Sequence, residues 1–208
     1  MKRFVLFCLV FVIAGAQFLL SENTPEIKFG AYVDTYISTD NAKLPDELSD
    51  FRGFSFINPK KNEFGVNIAQ ISASMKYGNL LRGNVTIHAG DLKTSAWSGT
   101  DTYIQQANGG VQLFENFWLD AGYFTTHVGG EAILPKDNWL TSHSLVTFFE
   151  PFYQLGMRLS YETEKFTGQF HLLNGNGIYK DNNYNKTFGW FFSYILSDKL
   201  TLSYSGVA

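Results

Sequence analysis

YQLGMRLSY, residues 153–161, poses the question of architecture in nine residues. Tyr153, Leu155, Met157, Leu159 and Tyr161 alternate with Gln154, Gly156, Arg158 and Ser160. Successive side chains of a β-strand point to opposite faces, so one face here is wholly apolar, with a tyrosine at each end. The other face is polar and holds a cation at its middle. In a soluble sandwich the apolar face would be the core. In a membrane barrel it would meet lipid, and Arg158 would look into the bore.

The same period recurs along the chain. Strands are predicted over residues 27–38, 63–77, 81–90, 103–114, 117–126, 153–161, 166–172, 187–196 and 200–206. The second strand changes phase between Val66–Ile68 and Ile71–Met75, which predicts a bulge near Ala69 or Gln70. Polar, Gly- and Pro-containing stretches separate the first strand from the second, the third from the fourth, the fifth from the sixth and the seventh from the eighth. Between the other pairs lie tight turns such as Gly78-Asn79, Glu115-Asn116 and Ser197-Asp198-Lys199. Long and short connections therefore alternate, as in an up-and-down meander whose two ends differ. Outer-membrane barrels have that pattern, with strands of about 9–11 residues that cross the bilayer at a tilt.

Composition agrees with interleaved strands. Charged residues are 17% and aromatic residues 17% of 208, yet mean hydropathy is only -0.10. The leader-like segment apart, no apolar run reaches the ~18 residues of a spanning helix. Residues 1–20 read as a secretory leader: Lys2 and Arg3, an apolar run over 4–13, then Ala14-Gly15-Ala16, with cleavage between Ala16 and Ser21. Its Cys8 is the chain's one cysteine, so residues 21–208, the barrel domain, have no disulfide or thiolate site. Without the leader, 14 basic residues face 19 acidic ones, a net charge of -5 and no nucleic-acid footprint.

Two features favour lipid on the apolar side. The opposing faces carry Arg82, His88, Gln112, Asp120, Arg158, Gln169 and His171, many of them mid-strand. The apolar faces also end in aromatics, as with Tyr153 and Tyr161 or Phe188 and Tyr194, like the girdles at a membrane interface. A soluble lipocalin-like barrel stays open as the alternative. The fold class expected is all-β: an antiparallel up-and-down transmembrane β-barrel. Nine strands is an odd count and the last does not end on an aromatic, so the expectation is the N-terminal part of a larger barrel, unless the first segment is a plug or one strand is miscounted.

Several segments carry a resemblance. NEFGVNIAQISASMKYG (62–78), LLRGNVTIHAGD (80–91), LDAGYFTTHVGGEAILPKDNWLTSHSL (119–145), FEPFYQLGMRLSYE (149–162) and HLLNGNGIY (171–179) resemble, in order, the OmpL-like β-barrel porin family of bacterial outer membranes. The resemblance implies an outer-membrane barrel that forms a pore for small hydrophilic solutes or ions, with outer-membrane lipid as its surroundings. No catalytic residue comes with it. A homo-oligomer stays open.

Motifs for other chemistry are weak. His88, His127, His143 and His171 have no metal-ligand spacing, and no cofactor or metal is expected. Ser142-His143-Ser144 with Asp120 or Asp137 imitates a hydrolase site, but adjacency in sequence does not align a triad, and no enzyme is expected. Asp46, Glu47 and Asp50 lack the spacing of a calcium loop. The seven polar-face residues named above are the pore-lining candidates. Glu131, Lys136, Asp137 and Asn138 are the candidates for a constriction, since their long connection either folds inward or projects outward. The competing function is a surface-exposed structural or adhesin barrel that binds a partner through its long loops; an outer-membrane hydrolase comes third.

Overall fold

The computed structural model of the chain describes residues 24–39, 41, 52, 55–97, 103–177 and 185–208. The expected leader (1–20) with Cys8, and the acidic group Asp46, Glu47 and Asp50, lie outside the described residues. The strands are β1 (Glu26–Ile37), β2 (Phe64–Tyr77), β3 (Leu81–Ala89), β4 (Ile104–Phe114), β5 (Phe117–Thr125), β6 (Tyr153–Glu162), β7 (Phe166–Leu173), β8 (Thr187–Ser197) and β9 (Leu200–Val207). Each bound falls within one residue of the periodicity, because the pleat fixes the period and the turn residues end it. Asn116, for example, turns β4 into β5 at φ 66°, a conformation asparagine tolerates.

All nine strands form one antiparallel sheet, each paired with its chain neighbours, in the order β1 to β9. Among the described residues β1 and β9 are its open edges. The long connections all meet one end of the sheet and the tight turns the other.

The two faces invert the logic of a soluble protein. Large apolar residues stand exposed on one face: Phe29, Ile71, Val85, Phe170 (60% exposed) and Leu202 among them. Polar residues of the other face are buried: Thr86, His88, Asp120, Ser160 and His171. An exposed apolar face on this scale marks a surface that water is not meant to cover. At the tight-turn end, aromatic rings of the apolar face run in sequence, Phe114 to Phe117 at 6.5 Å, Phe117 to Tyr161 at 4.7 Å and Tyr161 to Phe166 at 6.3 Å.

Three local expectations are corrected. The bulge of β2 lies at Asn67, not at Ala69 or Gln70: Asp34 pairs with Ile68, and Thr35 with Val66. The extra residue is held by its side chain, which donates to Asp34 Oδ2 (2.8 Å) and accepts from the Asn58 amide (3.2 Å). The connection after β3 contains a helix, α1 (Asp91–Ala96), which Gly90 enters at φ 116°. Six residues are too few to register as helical period in the sequence.

Tyr153 is the third correction. Alternation puts it among the exposed rings of an interface girdle, but it is 6% exposed and packs on Trp97 and Tyr123. Gly122, at φ 135°, faces Gly156 across β5 and β6, and an added Cβ at either would overlap a neighbouring strand's backbone. A mid-strand glycine at such a φ interrupts the regular pleat. On the loop side of this pair, Tyr123 and Tyr153 turn into the core cluster of Ile57, Ile68, Leu92 and Trp97.

Candidate functional site

Register places the sequence-predicted residues in rows across the polar face. Arg82 pairs with Gly110, Gly110 with Asp120, Asp120 with Arg158 and Arg158 with His171. The row continues on the other side through Lys76 to Glu26. One step toward the tight turns, Gln112, Trp118, Ser160 and Gln169 form the adjacent row. Six of the seven lining candidates thus share two neighbouring rows. His88 lies on the same face nearer the long connections, covered by the Trp97 ring at 4.7 Å.

Asp120 is the hub of the charged row. Arg82 donates to it through Nε (2.7 Å to Oδ1) and Nη2 (2.6 Å to Oδ2). Arg158 donates to Oδ2 through Nε (3.2 Å) and Nη2 (3.1 Å). Arg82 also grips Glu162, Nη1 to Oε2 at 2.8 Å and Nη2 to Oε1 at 2.9 Å. Ser160 Oγ accepts from Arg82 Nη2 (3.1 Å) and donates to Glu162 Oε1 (2.9 Å). Each guanidinium lies over an aromatic ring, Arg82 on Trp118 at 4.5 Å and Arg158 on Phe124 at 4.7 Å. Asp120 is 1% exposed beneath the pair, so the surface it helps build is presented by the guanidinium groups.

Sequence reasoning missed Glu162 and Ser160, although both share the parity of Arg158. Glu162 reads as the first residue of a turn, and only the register of the assembled sheet shows that Arg82 reaches it from β3.

The β5–β6 connection folds back over this face. Ile133 and Leu134 pack against the core cluster, and Lys136 Nζ stands 5.6 Å from the ring of Tyr32. Tyr32 belongs to the polar face of β1, four strands from β5, in the row of Gln70 and His88. Of the other candidates here, Glu131 accepts from Ser144 N (2.9 Å), Ser144 Oγ (3.0 Å) and Thr147 Oγ1 (2.5 Å). Asp137 pairs with Lys136 at 2.7 Å, and Asn138 bridges the amide and carbonyl of Ala132, both at 2.7 Å.

His127, at the start of the connection, ties it to distant strands. Its Nδ1 lies 2.6 Å from Gln154 Oε1, its Nε2 3.2 Å from the Gly206 carbonyl, and its ring stacks on His171 at 3.8 Å. Burial lowers its pKa below the ordinary histidine value. The Thr147 hydroxyl holds Glu131 below the usual carboxylate range, while burial raises Glu150.

Three residues of the imitated triad have partners of their own. His143 Nε2 sits 2.8 Å from the Ala132 carbonyl, Ser144 bonds Glu131, and Asp120 is held by two arginines. Among the described residues no group of His, Cys, Asp and Glu could hold a metal ion, and no helix is long and apolar enough to cross a membrane.

The geometry has a counterpart among known families. The family model described as "Putative beta-barrel porin-2, OmpL-like" matches residues 26–208, from the first residue of β1 to the end of the chain. The chain belongs to the OmpL-like β-barrel porin family. No curated protein and no solved structure matches it. Family membership supports a porin-like role and agrees with an antiparallel up-and-down sheet whose apolar side chains stand exposed.

Proposed function

We propose that this chain is exported through its leader to the bacterial outer membrane, where it forms a channel for passive diffusion of small hydrophilic solutes or ions. The observation that carries the reading is the sorting of the sheet's two faces. Apolar side chains stand exposed on one, and a row of charged and amide side chains lies on the other. In a bilayer the first face replaces contact with water by contact with acyl chains, and the second lines an aqueous bore. The β5–β6 connection, reaching Tyr32 from β5, narrows that bore as its constriction. The chemistry required is polar lining and charge, with no catalytic step.

Single-channel recording of the folded protein in a planar bilayer tests this. Sustained, stepwise conductance is the expected result. A second reading, a surface barrel that binds a partner, draws on the exposed Trp139, Leu140 and Phe149 of the same connection. Electrical silence from correctly folded protein would favour that second reading and overturn the first.

A further inference from the structure

We infer that the charged row forms an anion-accepting cleft, which gives the channel a preference for small solutes bearing oxyanion groups. This rests on the porin reading and specifies the solute class. The cleft, about 310 Å³, is lined by Lys76, Arg82, Arg158, Asn84 and Asn108 with neighbouring residues of β1 and β2.

The charges at this level are not symmetrically satisfied. Four cations, Lys28, Lys76, Arg82 and Arg158, face three carboxylates, Glu26, Asp120 and Glu162. Every carboxylate is committed. Glu26 pairs with Lys28 at 2.9 Å, Asp120 lies behind two guanidinium groups, and Glu162 accepts from Arg82 and Ser160.

The cations exceed the carboxylates by one, and not all of their donors are used. Arg82 uses Nε, Nη1 and Nη2 on carboxylates, but Arg158 binds Asp120 through Nε and Nη2 alone, which leaves its Nη1 edge to the cleft. Lys76 is exposed, stands between Arg82 and Glu26 in register, and acts on Glu26 only through space, with no carboxylate within salt-bridge distance among the described residues. Asn84 takes the Thr86 hydroxyl on its amide oxygen at 3.4 Å, which leaves its NH₂ group free.

An ammonium, a guanidinium edge and an amide NH₂ all donate and none accepts. Such a set matches an ionised carboxylate, phosphate or sulfonate, whose oxygens only accept. A metal cation would call for carboxylate oxygens here, and the three carboxylates already serve arginine or lysine. Fixed charge in a bore walled by protein and lipid acts through a low dielectric, so an excess of one cation over the carboxylates biases permeation. The chain's overall charge is negative, -3, and the cleft's local sign is the opposite.

Two measurements on the full folded chain test the cleft. Reversal potential across a potassium chloride gradient should show chloride preferred over potassium, and Lys76→Glu should abolish or reverse that preference. Separately, inorganic phosphate titrated into detergent-folded protein should change tryptophan emission, since Trp118 lies under Arg82. Lys76→Gln should weaken that response several-fold. Lys76 makes no close ion pair among the described residues, so both variants should fold.

Potassium preference, or chloride preference unchanged by Lys76→Glu, overturns the inference, as does emission indifferent to phosphate. Phosphate binding by a folded protein that conducts nothing would refute the porin reading and leave the cleft standing.

Discussion

Gly110 and Asp120 face each other across β4 and β5, and the space of the absent Gly110 side chain is occupied by the Asp120 carboxylate. A Cβ at Gly110 would overlap Asp120 Oδ1, the oxygen that Arg82 Nε holds at 2.7 Å. The glycine is thus a steric condition for the charged row. Gly110→Ala should displace the carboxylate and lower the thermal unfolding midpoint in detergent. An unchanged midpoint would show that the row tolerates a shifted hub.

Asp120→Asn keeps the shape of the hub and removes its charge. Two part-buried guanidinium groups then lose their shared counter-ion, a change that costs about 3–5 kcal/mol when a buried pair is broken on one side. Denaturant titration should show the loss. A difference below about 1 kcal/mol would mean that solvent in the bore already screens these arginines.

Leu159 lies on the exposed apolar face of β6, between Leu119 and Phe170 in register. Leu159→Arg should reduce folding into liposomes, since arginine on the lipid face costs about 2–4 kcal/mol near the bilayer midplane. Thr167→Arg, on the polar face beside Glu162, should fold like the parent chain. Equal folding yields for the two would invert the assignment of faces.

Trp97, fully buried, holds His88, Phe152 and Tyr153 together at ring distances of 4.7, 5.7 and 5.9 Å. Trp97→Ala should destabilise the loop end of the sheet by about 3–5 kcal/mol, the cost of emptying a large aromatic site. Trp139→Ala, a fully exposed position, should leave the unfolding curve in place. Calorimetry on both variants separates the two outcomes.

Acid should loosen the β5–β6 connection. Glu131 has a folded pKa below its unfolded value, so its contribution is complete above about 4.5 and is lost as pH falls through the folded value. Half-buried His127 also has a lowered pKa: the neutral ring fits the fold, and its contribution is lost as pH falls below about 6.5. Glu150, raised by burial, acts in the opposite sense and offsets part of this. Proteolysis within residues 126–152 should therefore accelerate between about pH 7 and pH 4. Glu131→Gln should remove the lower part of that rise, and a pH-independent rate would contradict the assignment.

The alternation and its punctuation are legible in the residues alone. Residues two apart share a face whatever the strand pairs with, so Leu155, Met157 and Leu159 parted from Arg158 and Ser160 before any contact was known. Glycine and asparagine ended the strands where a turn needed them. Tertiary structure decided what lies across from what. The Asn67 bulge, the burial of Tyr153 under Trp97, the stacking of His127 on His171, and the meeting of Arg82 with Glu162 all join residues far apart in the chain. Period two says which side a residue faces but nothing of its row, because the row depends on register, and register is set jointly by turn lengths, bulges and side-chain fit between strands.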